Sequence, residues 1–361
     1  MNKKHYIIPI FVPHEGCPHN CVFCNQDSIT GTSGDNVDEH YVRNTIEEYL
    51  HTIEGNKHPA SIIEVSFFGG TFTAIDIEKQ RKLLQVAKEY KDRGKIHNIR
   101  LSTRPDAIDI LILEHLKKYS VDIIELGVQS LDDEVLIKSG RGHNAEQVEI
   151  ASKLIKSYGI TLGHQIMLGL PGDNFEKDIE TTKKVISMKP HICRIYPALT
   201  VKNTPMEKMY LDGTYIPYSL EYAVEISKVI YGMLEAEDIK VIRLGLQTTE
   251  EIDEGAEIIA GPFHQAFREL VEGNILIDMI ESIIKDKKGI KEIVIEINTR
   301  DVSKLYAKRK FFFNKLKEKY NTVNFKVTQS QDVERKNLKI LVNNEIYSIN
   351  EKSYLKGLYL K

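Results

Sequence analysis

Short apolar, β-branched runs alternate along this chain with longer amphipathic segments, and that alternation limits the folds open to it. The strand-like runs are Ile7–Val12, Ile62–Phe68, Ile99–Thr103, Ile123–Gly127, Thr161–Met167 and His191–Tyr196. Between them, apolar residues recur at helical spacing over Val37–Ile53, Ile77–Arg93, Ala107–Tyr119, Ala145–Tyr158 and Phe175–Met188, and a further helix, Leu220–Glu237, follows the last strand. Such an order requires a parallel sheet with helical crossovers. Six units suit a partial (β/α)6 barrel better than a closed eight-stranded one, and 361 residues leave room for a small second α+β domain.

In parallel α/β barrels, chemistry gathers where strands end and the following loops begin. Each run here ends in a polar or glycine-rich signature: Gly69-Gly70-Thr71, Ser102-Thr103-Arg104-Pro105, Gly127-Val128-Gln129-Ser130, Gly169-Leu170-Pro171-Gly172 and Tyr196-Pro197. Any one of these can be a simple turn. All of them on one predicted rim point to a cavity. The first run leads into Gly16-Cys-Pro-His-Asn-Cys-Val-Phe-Cys-Asn25, which places Cys17, Cys21 and Cys24 within eight residues. Clustered cysteines argue against a disulfide framework and for a metal site in a reducing compartment. Three thiolates can hold three irons of a 4Fe–4S cube and leave the fourth open. Structural zinc is the rival reading, with His14 or His19 as a fourth ligand. Cys193, alone in the last strand-like run, reads as a small buried hydrophobe.

The cysteine motif resembles that of the radical S-adenosylmethionine (SAM) superfamily. In that family SAM chelates the open iron, and a reduced cluster cleaves it to a 5′-deoxyadenosyl radical that abstracts hydrogen. The resemblance implies SAM contacts from Gly69, Gly70 and Thr71, from Ser102, Thr103 and Arg104, from Gln129, and from the Ile166–Gly169 stretch that includes Met167 and Gly169. More narrowly, Phe68-Gly-Gly-Thr-Phe72, Thr103-Arg-Pro-Asp106, Glu125-Leu-Gly-Val-Gln-Ser130, Arg141-Gly-His143, Gly169-Leu-Pro-Gly172, Ile195-Tyr-Pro197 and Thr204-Pro-Met206 are similar to the Elongator catalytic-subunit family. So are Gly213-Thr-Tyr215 and Pro217-Tyr218, and the likeness spans about residues 7 to 245. That family modifies the wobble uridine of tRNA with SAM and acetyl-CoA. This chain departs from it in the shorter spacing of its first two cysteines and in lacking a recognisable acetyl-CoA loop.

The C-terminal end has a different character. Residues 291–361 carry 16 Lys and Arg against 8 Asp and Glu, a balance of +8, while the rest of the chain stands at −11. A basic end of this kind suits a polyanion-binding module, or a merely soluble lysine-rich surface. The pattern predicts short helices at Pro262–Gly273 and Ile275–Lys287. It then predicts strand Ile293–Asn298, helix Val302–Tyr306, helix Phe311–Tyr320, and strands Val323–Val327 and Lys339–Val342. The β–α–loop–α–β order over 293–327 is similar to the core of a KH RNA-binding domain, with Ile293, Val294, Leu305, Leu316 and Phe325 as its core. Lys308, Arg309 and Lys310 stand where that domain has its Gly-x-x-Gly loop.

These readings predict a partial barrel over residues 1–249, a linker and helices over 250–290, and a small basic α+β domain over 291–361. They predict an enzyme acting on tRNA or another RNA, served by a low-potential donor such as ferredoxin or flavodoxin. The alternative is action on a small metabolite or tetrapyrrole, with the C-terminal domain used for substrate or packing. A third is a non-enzymatic RNA-binding or assembly protein with a structural metal. No run is long enough to span a membrane, and the N-terminus leads straight into the cysteine motif, so a cytoplasmic protein without disulfides is expected. His143 and His164 read as structural, and Tyr196 as a cavity wall.

Overall fold

The computed structural model describes residues 5–12, 17, 19–25, 37–55, 61–246 and 257–360. Its chain divides into two compact units, Met1–Pro217 with Thr248–Gly261, and Tyr218–Gln247 with Pro262–Lys361. The sequence pattern draws its boundaries instead at 249 and 290. The difference arises because the helix after the sixth strand packs with helices near the C-terminus, as described below.

In the first unit, chain order gives β1 (His5–Val12), α1 (Glu39–Glu54), β2 (Ile62–Gly69), α2 (Ile77–Asp92), β3 (Asn98–Thr103), α3 (Ile110–Lys118) and β4 (Ile123–Gln129). There follow α4 (Asp133–Lys138), α5 (Ala145–Ser157), β5 (Thr161–Leu168), α6 (Phe175–Met188), β6 (Ile192–Pro197), β7 (Thr200–Val201) and α7 (Pro205–Leu211). Strands β1 to β6 lie side by side in chain order, and each pair is parallel. All six match the predicted runs to within two residues at either end. Ile8, Ile10, Val65, Phe67, Ile99, Leu101, Ile124, Leu126, Leu162 and Ile195 are buried, as expected where helices cover a parallel sheet. Pro9 is tolerated within β1 because β1 is an edge strand.

Helix starts follow local chemistry. Asp38, Asp76, Asp109, Asp132 and Asn174 each accept hydrogen bonds from first-turn amides. Asn144 and Gln147 form a reciprocal capping box. These short polar side chains satisfy amides that have no partner inside the helix. Short helix α4 and the small pairing of β7 with β9 (Ile258–Ala260) escape the sequence pattern because neither is long enough to show a period.

The second unit contains α8 (Leu220–Ala236), β8 (Lys240–Leu244), α9 (Phe267–Ile284), β10 (Glu292–Asn298), α10 (Val302–Leu305), α11 (Ala307–Lys319), β11 (Asn324–Ser330), β12 (Asn337–Val342), β13 (Glu345–Asn350) and α12 (Glu351–Tyr359). Helix α8 packs on α9 and α12. The two helices predicted over 262–287 are a single one, α9. Gly273 does not break it: a side chain there would meet the Lys304 carbonyl at 2.2 Å, so the glycine permits close approach of α10. The sheet runs β11-β10-β12-β13, with β10 and β11 parallel and the other pairs antiparallel. Ile293, Ile295 and Ile297 are buried together with Leu305 and Leu316. Val294, expected in the core, is only half-buried, because alternate strand residues face opposite sides. Phe325 is half-buried as well.

Candidate functional site

The cysteine loop hangs from two backbone bonds at one residue. The Val22 amide donates to the Ser139 carbonyl at 3.0 Å, and the Val22 carbonyl accepts from the Met206 amide at 2.9 Å. The Cys24 amide donates to the Cys21 carbonyl at 3.0 Å, which tightens the turn. Beneath it, Val22 and Phe23 pack with Met167 on a cluster of Val135, Leu170, Ala198, Met206 and Tyr215. Gly142 lets the loop come close: a side chain there would sit 2.3 Å from the His19 ring. His14, offered above as a ligand, lies outside the described residues.

Cys17, Cys21 and Cys24 line a cavity of about 180 Å³. Gly69, Gly70, Thr71, Ser102, Thr103, Arg104 and Gln129 line it too. Of the signatures predicted to share one rim, those after β1 to β4 meet in this space, joined by Gln165 of β5, and those after β5 and β6 do not line it. Met167 and Gly169 are not among its walls. Met167 lies under the cysteine loop, and the Gly169 carbonyl accepts the Tyr215 hydroxyl at 2.7 Å. Tyr196, expected as a wall, is not a lining residue either; its hydroxyl accepts from Arg194 Nη1 at 3.3 Å.

Local backbone explains how these groups reach the cavity. Gly69 has φ +109°, and a Cβ there would stand 2.6 Å from the Val12 carbonyl oxygen, so the turn after β2 needs glycine. The Gly70 amide donates to that same oxygen at 2.8 Å, joining the ends of β1 and β2. A bulge interrupts β4 between Gly127 and Gln129 and leaves Gln129 at φ +66°. Bulges re-aim side chains, and the left-handed conformation is uncommon for a residue with a side chain. Gln165 Nε2 donates to Gln129 Oε1 at 3.4 Å.

Two arginines define the polar wall. Arg104 is held by Asp106 through Nε at 2.9 Å and Nη2 at 3.0 Å, and Nη2 also donates to the Arg141 carbonyl at 2.6 Å. Its buried Nη1 has no hydrogen-bond partner among the described residues. Burial works to raise the Asp106 carboxyl, but the Arg104 bonds and charge hold it below the ordinary carboxylate range. Arg141 donates from Nη2 to the Gly127 carbonyl at 2.6 Å and approaches Cys21 Sγ with Nη1 at 3.4 Å. Thr103 belongs to a chain of hydroxyls. Thr73 gives its proton to the Ala107 carbonyl at 2.6 Å, so Thr103 donates to Thr73 Oγ1 at 2.6 Å and keeps its own oxygen as an acceptor.

Deeper in the sheet, four charges form a buried ladder. Glu64 on β2 meets Arg100 on β3 at 2.7 Å; Arg100 Nη1 meets Glu125 on β4 at 2.6 Å; Arg194 on β6 meets Glu125 at 3.0 Å. The Ser66 hydroxyl donates to Glu64 at 2.8 Å. Burial opposes ionisation of Glu64, yet His5, Arg100 and Ser66 keep its carboxyl below the usual range. Glu125 reaches the cavity wall, so the two arginines that flank it in the ladder fix a carboxylate at the site. Gln165 is a lining residue that the sequence patterns do not single out, and Glu125, Gly127 and Arg141 line the cavity although they stand in those patterns without an individual role. Their legible signal was a polar residue inside an apolar strand, or an arginine beside a glycine in a loop.

The donor set suits an iron–sulfur cluster. Among the described residues no three His, Cys, Asp or Glu side chains converge as ligands of one metal ion. Thiolates that each take a different iron need not converge on one point. The unpartnered Nη1 of Arg104 in the cavity wall suits a ligand carrying a carboxylate. His143 and His164 are structural: His143 donates to the Val128 carbonyl at 3.2 Å, and His164 meets the Ser152 hydroxyl at 2.9 Å. Burial lowers both to a pKa of about 3, and for His143 the charges of Arg141 and Arg104 add to that. Cys193 is fully buried, and burial pushes its thiol up, away from reactivity.

Comparison with known proteins follows the same lines. Residues 11–185 match the model of the radical SAM superfamily, and residues 190–276 match the radical SAM C-terminal domain. A tRNA uridine(34) acetyltransferase of Methanocaldococcus jannaschii is 29% identical over 256 residues, which cover 61% of this chain and 47% of that one. Human Elongator complex protein 3 is 26% identical over 264 residues, covering 62% and 48%. The chain thus spans about half the length of these curated relatives. Among solved structures, the archaeal Methanocaldococcus infernus Elp3 with an N-terminal deletion superposes with a TM-score of 0.61, at 19% identity, over 96% of this chain and 77% of that one. No helix among the described residues is long and apolar enough to cross a membrane.

Proposed function

The chain belongs to the radical SAM superfamily, and from that premise we propose that it cleaves SAM reductively and uses the radical to modify RNA, with tRNA as the favoured substrate. The observation that carries this reading is the meeting of three thiols, the Gly69-Gly70-Thr71 turn and Arg104 around one cavity. When bound, a 4Fe–4S cluster supplies one electron to the sulfonium of SAM and so yields a 5′-deoxyadenosyl radical. Cys17, Cys21 and Cys24 would hold three irons, and Arg141 Nη1 stands 3.4 Å from Cys21 Sγ. Arg104 Nη1 would receive one oxygen of the methionyl carboxylate through a charge-assisted hydrogen bond, its Nε and Nη2 being held by Asp106 and the Arg141 carbonyl. The Gly69-Gly70-Thr71 turn lines the cavity and would lie beside the amino group. Gln129 and Gln165 present amides toward the remainder of the ligand. Met167 and Gly169 would act from behind this wall.

The choice of tRNA rests on the Methanocaldococcus jannaschii relative, whose name specifies tRNA uridine, and on the basic C-terminal end. Acetyl transfer is named for a relative of which the match covers 47%. A low-potential donor such as ferredoxin or flavodoxin would provide the electron. The test is anaerobic reconstitution, then incubation with SAM and dithionite. Uptake of iron and sulfide with release of 5′-deoxyadenosine supports the reading; a colourless protein that takes zinc and refuses iron overturns it. Cys17→Ser, Cys21→Ser and Cys24→Ser are each expected to abolish cleavage. Mass spectrometry of total tRNA from cells with and without the protein then identifies the modified nucleoside. An unchanged tRNA profile beside intact SAM cleavage would redirect the search to small molecules.

A further inference from the structure

We propose that the loop Lys308–Lys310, with the adjoining start of α11, is a site for unpaired nucleotides of an RNA strand. It deepens the RNA reading above and depends on it for its biological sense. Three observations carry it. The first is charge. Between Asp301 and Tyr320 stand seven lysines and arginines against Asp301 and Glu318. Lys304, Lys308 and Lys319 are engaged by carboxylates. Arg309, Lys310, Lys315 and Lys317 are exposed. Exposed cations of this density meet phosphates.

The second is aromatic surface among those cations. Phe311 and Phe312 are only half-buried although they open a helix whose inner face is already supplied by Phe313 and Leu316. Phe311 lies under the ammonium groups of Lys308 at 4.6 Å and Lys315 at 4.4 Å, and Phe312 meets it edge-on. Beside the loop, Lys308 is tied to Glu221, whose neighbour Tyr222 is 40% exposed and stands edge-on to Tyr218. Cations interleaved with accessible rings match single strands, whose base faces are open to stacking. A duplex hides those faces.

The third is backbone. Lys308, Arg309 and Lys310 have φ of +49°, +53° and +67° in succession. L-residues avoid this region, and a run of three without glycine is unusual. Strain of this kind gathers at functional sites. Here it kinks α11 just after its first residue, Ala307, and leaves Arg309 and Lys310 exposed, where a continuous helix would spread them around its circumference.

The experiment uses the full chain without SAM. Fluorescence anisotropy would follow a labelled short oligouridylate, a matched RNA duplex, and vesicles of phosphatidylserine with phosphatidylcholine. The single strand is expected to bind better than the duplex. Phe312→Leu keeps apolar bulk but removes the ring, and is expected to weaken the single strand by about tenfold while sparing the duplex. Arg309→Gln with Lys310→Gln should weaken both and lower the salt slope by about 2. Circular dichroism of each variant checks that it folds. Equal binding of single strand and duplex with no effect of Phe312→Leu overturns the proposal and leaves only unselective charge. Binding to the vesicles without binding to oligouridylate overturns it in favour of a membrane surface. SAM cleavage by the wild-type protein is scored separately, so the radical reading and this one can fail independently.

Discussion

Each unit buries a network of charges, and the two networks do different work. In the first, Glu64, Arg100, Glu125 and Arg194 come from four strands, and Glu125 among them lines the cavity. In the second, Glu272 on α9 meets Arg268 and Lys304, and Asp301 meets Lys304 and Arg335. Nearby, Glu351, Lys336 and the Tyr231 hydroxyl close a smaller cluster. The second set ties helices and loops together and lines no described cavity. Arg268 and Arg335 keep partial contact with solvent, whereas Glu64 and Arg100 do not. Desolvated charge is tolerated only when every partner is present. The ladder is therefore the more brittle arrangement, and it is brittle where geometry at the site depends on it.

Breaking the ladder should give the largest effect. Arg100→Met removes the cation shared by buried Glu64 and Glu125, leaving Glu125 to Arg194 and Glu64 to His5 and Ser66, and is expected to cost about 3–5 kcal/mol in urea unfolding. Glu272→Gln, in the partly hydrated network, should cost about 1–3 kcal/mol, since Lys304 retains Asp301. Equal losses would erase the distinction drawn between the two. Glycines sharpen it further. Gly69→Ala and Gly273→Ala both force a Cβ onto a carbonyl, and each should cost about 1–3 kcal/mol. Isothermal titration with SAM on reconstituted protein should then show weakened binding for Gly69→Ala alone.

Buried histidines give a pH test confined to the first unit. The folded state holds His164 neutral, with a pKa of about 3 against an ordinary value near 6.5. Between those values the unfolded chain binds the extra proton, so stability falls as the pH drops from about 6.5 toward 3. By pH 5 the loss from this residue is about 2 kcal/mol. His164→Gln should lower stability at pH 7 yet flatten the decline toward pH 5, measured by denaturation at both values. The smallest effect belongs to the exposed Lys153–Glu149 pair, where Lys153→Gln should change stability by less than about 0.5 kcal/mol.

Legibility in the sequence followed the length and repetition of the signal. Six strands and six helices stood out because each repeats one period over several residues. The cavity wall followed from knowing that loops after parallel strands share one rim. Helix α9 was split in the reading because Gly273 looks like a breaker, and only the approach of the Lys304 carbonyl reveals why a glycine sits mid-helix. Helix α12 and strand β13 lacked a long enough period. Glu125 and Gln165 were quoted or passed by without a role, since an inward polar residue in a strand reads the same whether it meets an ion pair or a cavity.

The sequence by itself determined the parallel order, the helix caps and the identity of the three thiols, because each depends on neighbours a few residues away. Tertiary structure alone decided that Arg141 stands against Cys21, that Arg104 keeps one nitrogen free beside the glycine turn, and that Glu125 anchors an ionic ladder. Those contacts join residues separated by tens of positions or more, and no local spacing encodes them. The same holds for the division of the chain. Helix α8 carries the pattern of a barrel helix, but its partners α9 and α12 come from the C-terminal region, and burial against them assigns it to the second unit.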